Sequence, residues 1–491
     1  MTGSQTLWWG TLTLTAAALL SRGLGMVYRV LLARYLGAEG LGLFQMVFPF
    51  YITLVTLVAA GMPVAVSQLA AEGRASPAVI WRDARRLTLL PALLLMAVVL
   101  GLARPLAVAL YRRADLAPLL MALTPALILV AVSAVLRGLY IARQSMVVPA
   151  ASQVVEQMTR VAVMATVMSV GILPWLPHGP RLAAWLIPVG ELTGLAVLWA
   201  AHPATGRPAG TDPPVTRTLI GLALPVTLNR LLSSLVGLVE ASLIPLRLQA
   251  SGLSAAAAIA LFGQLMGMAF PLIFFPTALT FALATNLVPA VARHLDEPRV
   301  IRRRTLEALH GTALWACPVT GLLLALGSRL DDLLFQTHLP PHLFLPLAAG
   351  GFLMYFDIIL GGVLRGLGRT ELPLRNSLIA AAIQLALIAT LGGRTGQGVL
   401  WVALAMGLGF VVSFALDARS LRRTAGIDVP WAGLLARPAA AATAAAPAAP
   451  LVLRWAAPAV GPWGGLVLAL GAAAGFYLLL LTSLGVHLRR F

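Results

Sequence analysis

Apolar stretches long enough to cross a bilayer recur from one end of this 491-residue chain to the other. A span needs about 20 mostly apolar residues to cross a hydrocarbon core of about 30 Å. On that criterion fourteen spans are expected, near residues 8–33, 41–70, 87–110, 117–142, 146–172, 182–202, 219–246, 257–289, 309–328, 343–364, 374–392, 398–416, 432–453 and 463–486. The runs are apolar on all sides, whereas barrel strands are about 10 residues long and alternate in polarity, so helices rather than strands are predicted. Pro91, Pro125, Pro225 and Pro276 fall inside these spans and are expected to kink them, because neighbouring helices can satisfy the backbone groups a proline frees. The fold class expected is an all-α polytopic membrane protein.

Composition supports this and excludes alternatives. Hydrophobic residues make up 59% of the chain and charged residues 11%, about half the charged share of a soluble domain. The formal charge of +18 comes from 35 basic residues, all arginine, set against 17 acidic ones. They punctuate apolar segments instead of gathering on a soluble face, so no nucleic-acid partner is expected. The single cysteine, Cys317, allows no intramolecular disulfide. The seven histidines form no His-Glu-x-x-His pair, and no metal, cofactor or catalytic residue is expected. The first apolar stretch runs from about Leu7 past Leu32 with no basic residue before it, too long for a removable signal.

The arginines also predict orientation. Even-numbered connections and the C-terminus carry roughly 23 of them, counting Arg74, Arg137, Arg160, Arg207, Arg489 and Arg490; odd-numbered connections carry about eight, Arg247 and Arg329 among them. The positive-inside rule then places both termini in the cytoplasm of a multi-pass protein in the cytoplasmic membrane. The least apolar central connection, 206–218, reads as a cytoplasmic hinge. Met-x-Phe-Pro occurs at Met46–Pro49 and again at Met268–Pro271, 222 residues apart. Hinge and repeat divide the chain into a six-helix lobe over 1–205, a second six-helix lobe over 219–418, and two additional helices over 419–491. Internal repetition of this kind is common among transporters, which handle substrate between the repeats.

Four arginines remain within spans: Arg22, Arg29, Arg104 and Arg230. A charge facing lipid at the bilayer centre costs about 2.5–3.5 kcal/mol, so each should face a cavity, find a partner or snorkel. Arg104 lies near a segment end and is expected to snorkel. Arg22 and Arg29 are two turns apart on one helical face, an arrangement that suits a polyanion, although Arg29 could equally join Arg34 at the outer interface. Arg230, beside Asn229, cannot reach Glu240, since ten residues leave them about 15 Å apart along the axis. Arg22 or Arg29 meeting Glu240 across a cavity is one reading; an ion pair tying the lobes together is the other. Glu156, Gln157 and Arg160 are expected at the cytoplasmic end of the fifth helix, solvated or paired within the helix. Glu191, Gln264, Asn286 and Asp357 are single polar groups that could tie helices or touch substrate. The basic cluster from Arg299 to His310 reads as a topology determinant on anionic lipid.

Several phrases carry a family resemblance: "SRGLGMVYRVLLARYLGAEGLGLFQ" from Ser21, "AAGMPVAVSQLAAE" from Ala59, "LRGLYIARQSMVVPAASQVVEQMTRV" from Leu136, "FGQLMGMAFPLIFFPTALTFALATNLVPAVA" from Phe262 and "GGVLRGLGRTELPLRNS" from Gly361. The chain resembles the multidrug/oligosaccharidyl-lipid/polysaccharide exporter superfamily, and within it the stage V sporulation protein B group, with MurJ-type lipid II flippases as mechanistic relatives. The resemblance implies a monomeric, non-enzymatic flippase of two six-helix lobes. Its cargo would be an undecaprenyl diphosphate-linked oligosaccharide, with membrane lipids and a coupling ion as further partners. In the flippases, arginines on the first, second and eighth helices hold the diphosphate. Only the first carries over, to Arg22 and Arg29; the second and eighth segments here have no arginine, and Arg230 is the candidate in their place. The substrate-binding set expected is Arg22, Arg29, Asn229, Arg230, Glu240 and Asn286. A cation-coupled multidrug antiporter of the same fold is the alternative, followed by a membrane glycosyltransferase or polymerase, for which no substantial acidic loop is present.

Overall fold

The computed structural model describes residues 3–73, 75–170, 179–201, 213–337 and 340–485. Most of the hinge expected at 206–218 lies outside them, as do Arg74, Arg207, Arg489 and Arg490. Among the described residues there is no strand. The helices are α1 (Gly3–Ala59), α2 (Met62–Ala71), α3 (Pro77–Tyr111), α4 (Ala117–Leu123), α5 (Pro125–Ala142), α6 (Val147–Val170), α7 (Pro180–Ala200), α8 (Thr216–Ala250), α9 (Ala255–Gly263), α10 (Phe270–Phe274), α11 (Thr277–Ala292), α12 (Pro298–Phe335), α13 (Pro341–Gly366), α14 (Glu371–Leu391), α15 (Gly398–Ala425), α16 (Trp431–Ala445) and α17 (Ala448–Ser483). A π-helical stretch, Gln264–Ala269, joins α9 to α10.

Eleven helical stretches among the described residues are long and apolar enough to span a membrane, and they are compatible with the fourteen expected. Two of them are multiple. Leu20–Ala71 covers 52 residues and is broken within α1 at Gly37, whose backbone sits at φ 68°, ψ −178°. Trp431–Ser483 covers 53 residues and is broken within α17 at Gly461, at φ 77°, ψ 166°. α6 has span length at 24 residues, but its polar residues keep it out of the apolar set. Pro91 and Pro225 do lie inside α3 and α8, whereas Pro125 and Pro276 stand at helix starts.

The chain forms two compact units. The first comprises residues up to Pro245 together with Ala255–Gly267. In it α8 runs along α1 and α2: Thr53 Oγ1 donates to the Ser234 carbonyl at 3.4 Å, and the Gly61 amide donates to Thr227 Oγ1 at 3.2 Å. Gln45 Nε2 donates to the Met266 carbonyl at 3.4 Å, holding α1 to the segment after α9.

The second unit comprises Leu246–Ser254 and everything from Met268 onward. Its α12, α16 and α17 close around Cys317, Ala441, Ala442, Ala445, Tyr477 and Leu481. The alanine-rich face of α16 therefore serves close helix packing, and Tyr477 Oη caps the contact by donating to the Leu314 carbonyl at 2.7 Å. Arg299, Arg302 and Arg303 at the start of α12 are exposed, and Arg303 pairs with Glu307 one turn on at 2.7 Å.

Several arginines assigned to connections lie inside helices, Arg329 in α12 among them. Arg137 lies inside α5 and Arg160 inside α6, the latter only 9% exposed. Arg247 lies inside α8, packed against Gly392 and Gly393. Hydropathy dips wherever charges collect, and such a dip reads as a loop when its charges are in fact paired or packed within the bundle.

Candidate functional site

The first unit contains a cavity of about 230 Å³, far above the roughly 10–15 Å³ that one water requires. Its walls come from α1, α6 and α7. Tyr28, Arg29 and Gln45 of α1 and Gln157 and Arg160 of α6 supply the polar surface; Leu32, Leu41, Phe44, Phe48 and Ile187 complete the apolar part. The break at Gly37 lets one stretch of α1 contribute Tyr28 and Arg29 and the next contribute Leu41 to Phe48. Gln157 reaches α1 where Gly25 leaves room, so that a Cβ at Gly25 would lie 3.8 Å from Gln157 Oε1.

Arg29 is partly buried in this cavity and forms no ion pair with a carboxylate among the described residues. The Tyr28 hydroxyl and the Arg160 Nε are both buried without a hydrogen-bond partner. A buried polar atom left unpaired costs about 1–3 kcal/mol, so unpartnered donors beside a cavity mark where a ligand can be received.

Behind the cavity wall lies a charged network. Arg160 Nη2 contacts Glu156 Oε1 at 2.7 Å within α6 and Glu191 Oε1 of α7 at 3.7 Å; Arg137 Nη2 of α5 contacts Glu156 Oε2 at 3.6 Å. Two guanidinium and two carboxylate groups balance formally, which keeps the group tolerable at 7% exposure for Glu156 and 9% for Arg160. Helix period explains the assembly. Ser152, Glu156 and Arg160 recur every fourth residue and form an inward stripe on α6. Opposite, Gly190 and Gly194 of α7 have the small-xxx-small spacing that lets helices approach closely. Ser152 Oγ donates to the Gly194 carbonyl at 2.9 Å, and Arg160 lies directly on Gly190.

This corrects the solvated alternative for Glu156 and Arg160, while their pairing within the helix is observed. Glu191 is no isolated polar group but a member of the network. The signal for it stood in the sequence as Ser-x-x-x-Glu-x-x-x-Arg on one helix and Gly-x-x-x-Gly on the next.

The expected binding residues are distributed unevenly. Arg29 lines the cavity; Arg22, Asn229, Arg230 and Glu240 also belong to the first unit but do not line it. Arg22, Asn229 and Arg230 are exposed, and Glu240 is partly buried. Asn286 is exposed and lies in the second unit. That unit has a polar cluster of its own. Ser413 Oγ of α15 donates to Asp357 Oδ2 of α13 at 2.8 Å, while Asn376 Nδ2 of α14 donates to Asp417 Oδ1 at 2.7 Å and to Ser420 Oγ at 2.9 Å. Arg365 is within Coulombic reach of both aspartates. Among the described residues no group of acidic, histidine or cysteine side chains is arranged to hold a metal.

A bundle of long apolar helices with an arginine-lined cavity among them is the build of a multi-pass membrane protein. The model of the polysaccharide biosynthesis protein family matches residues 7–293, and the chain belongs to that family. It is 30% identical over 456 residues to stage V sporulation protein B of Bacillus subtilis (strain 168), covering 87% of this chain and 85% of that protein. Among solved structures, the fold is similar to the lipid II flippase MurJ in an inward closed conformation, with TM-score 0.74, 13% identity and coverage of 96% of this chain and 98% of that one. It is similar also to an inward-facing multidrug resistance MATE family transporter of the MOP superfamily, with TM-score 0.66, 14% identity and coverage of 82% and 94%.

Proposed function

We propose that this protein carries an undecaprenyl diphosphate-linked oligosaccharide, a peptidoglycan precursor such as lipid II, across the cytoplasmic membrane by alternating access. The observation that carries the reading is Arg29, a cation on a membrane helix that lines a cavity and has no ion pair with a carboxylate among the described residues. A counter-charge that arrives with the substrate accounts for it. A guanidinium offers paired donors matched to phosphate oxygens, the cavity receives the polar head, and a polyprenyl tail can stay in lipid. Similarity in fold to a lipid II flippase and in sequence to a sporulation protein supports the same reading. In this proposal Arg22, Asn229, Arg230, Glu240 and Asn286 also bind substrate. Both termini are cytoplasmic, and the lobes are 1–205 and 219–418 with two helices added after residue 418.

The test is reconstitution into vesicles with lipid II and related undecaprenyl diphosphate sugars, comparing wild type with Arg29→Ala, Arg22→Ala and Arg230→Ala. Translocation by the wild type and its loss in Arg29→Ala are expected. Undiminished flipping by all three variants would remove the proposed path. The second reading, a cation-coupled antiporter, is favoured by one observation: two carboxylates, Asp357 and Asp417, lie in the apolar spans α13 and α15 with Arg365 within Coulombic reach of both, and ionisable residues inside spans mark ion and proton pathways. Uptake of membrane-permeant cations by vesicles that flip no lipid-linked sugar would transfer the assignment to that reading.

A further inference from the structure

Arg160 is tied into two environments at once. Its side chain lines the same cavity as Arg29, yet it is also the centre of the buried network with Glu156, Glu191 and, through Glu156, Arg137. The contacts are unequal. The pair with Glu156 is tight at 2.7 Å and lies within one helix, whereas Glu191 stands 3.7 Å away, beyond hydrogen-bond length. Both contacts, and a long one of 3.5 Å to the Ile187 carbonyl, fall on the single atom Nη2, and Nε has no partner. A guanidinium has five N–H donors, so this one has spare capacity on the side of a cavity whose other cation is unpaired.

Charge counting adds to this. The network is neutral by itself, so Arg29 alone leaves the cavity with one uncompensated positive charge. A monoanion is matched by that charge, but a diphosphate diester, with a negative charge on each phosphoryl group, needs a second cation. Among the described residues Arg160 is the only other cation lining the cavity. It becomes available if the loose contact to Glu191 opens while the tight one to Glu156 holds.

We infer that Arg160 is a second, conditional anion ligand, held in reserve by Glu191 and turned to the ligand when a diphosphate enters the cavity beside Arg29. Ion-pair exchange of this kind gives discrimination between one phosphate and two without a permanently unpaired second charge in the bilayer. It rests on the reading of the cavity as an anionic headgroup site, and it adds the residue that counts the phosphates. Glu191 is a positioning residue here, acting only through Arg160.

The experiment is titration calorimetry on the full chain in detergent, with farnesyl diphosphate, the monoanionic diester farnesyl methyl phosphate as the monophosphate, and inorganic pyrophosphate as probes. Wild type is expected to prefer the diphosphate to the monophosphate. Arg160→Gln should weaken diphosphate binding by about tenfold or more, as loss of a charged hydrogen-bonding partner does, and leave monophosphate binding nearly unchanged. Glu191→Gln should strengthen diphosphate binding, and Arg160→Gln combined with Glu191→Gln should abolish that gain. A gain in affinity cannot come from a damaged fold, so Glu191→Gln decides the matter even if Arg160→Gln misfolds. Diphosphate binding by Glu191→Gln no tighter than wild type overturns the exchange. Weakened binding in Arg29→Ala with none in Arg160→Gln also overturns it, while leaving the headgroup cavity intact. A wild-type chain that binds none of the three probes overturns both readings. Equal binding of pyrophosphate and farnesyl diphosphate, with the same response to the variants, supports the exchange and assigns the affinity to the headgroup alone.

Discussion

Replacing Gly190 with alanine places a methyl group 2.5 Å from Arg160 Nε, 2.9 Å from its Cγ and 3.2 Å from its Cδ. Ordinary contact begins near 3.4 Å, so the arginine side chain must retreat by about 1 Å. Its 3.7 Å contact with Glu191 then passes the limit of an ion pair, and the 2.7 Å contact with Glu156 lengthens. Two terms oppose each other. Overpacking costs about 1–3 kcal/mol, while glycine to alanine within a helix returns about 0.5–1 kcal/mol. The clash wins, leaving a net destabilisation of about 1–2 kcal/mol, short of the roughly 3–5 kcal/mol for losing a buried partner outright because arginine can bend. At Gly194, one turn away, an added methyl would meet Ser152 Oγ at 3.2 Å and the Ser152 carbonyl oxygen at 3.3 Å, a shortfall of a few tenths of an ångström. There the helix term offsets the crowding, and the variant should be neutral or slightly more stable. The assay is thermal unfolding of the full chain in detergent, followed by tryptophan fluorescence. For a unit of this size Gly190→Ala should lower the midpoint by roughly 2–8 °C. A midpoint equal to that of wild type, or a greater loss in Gly194→Ala than in Gly190→Ala, would refute the packing argument.

Further predictions concern the second unit and the topology. Asn376, 1% exposed, donates both hydrogen bonds that hold Asp417 and Ser420, so Asn376→Ala should destabilise the chain by about 1–3 kcal/mol in the same unfolding assay, and Asn376→Asp should do so more severely by facing Asp417 with a like charge. Cys317 is buried among α12, α16 and α17, so a maleimide fluorophore should leave the folded chain unlabelled and react only as the second unit melts; rapid labelling below the melting range would contradict that packing. In a Cys317→Ser background, Ser145→Cys in the even-numbered connection after α5 should react with a membrane-impermeant thiol reagent only from the cytoplasmic side, and Thr395→Cys in the odd-numbered connection before α15 only from the opposite side. The reverse pattern would invert the proposed orientation.

The helices and the family were legible because both depend on what windows of sequence display: length, hydropathy and phrases such as "LRGLYIARQSMVVPAASQVVEQMTRV". That same phrase contains what was not legible. Arg137, Glu156 and Arg160 look like an arginine-rich connection when each residue is scored alone, since hydropathy counts a charge as water-seeking whether or not its partner lies on the next helix. Glu191, the residue that completes the network, is 35 positions from Glu156 and belongs to an otherwise apolar span. Arg29 was legible as one of four arginines within spans, but sequence alone left it open between a deep position and a place with Arg34 at the outer interface. Its cavity partners Gln157 and Arg160 come from α6, and only the packing of α6 against α1 reveals them. For Asp357, the helix-tying alternative agrees with its bond to Ser413 of α15.

Gly37 and Gly461 occupy backbone conformations that essentially only glycine adopts. Without them α1 from Leu20 to Ala59 and the whole of α17 would each be free to continue as one rod of about 55–60 Å, nearly twice the thickness of the hydrocarbon core. Each glycine thus settles whether its stretch crosses the membrane an odd or an even number of times. The consequence is one of parity: a side chain at Gly37 that forbade the turn would do more than strain one loop, for it would exchange inside for outside at every connection downstream, setting the arginines of the whole remaining chain against the side of the membrane they favour.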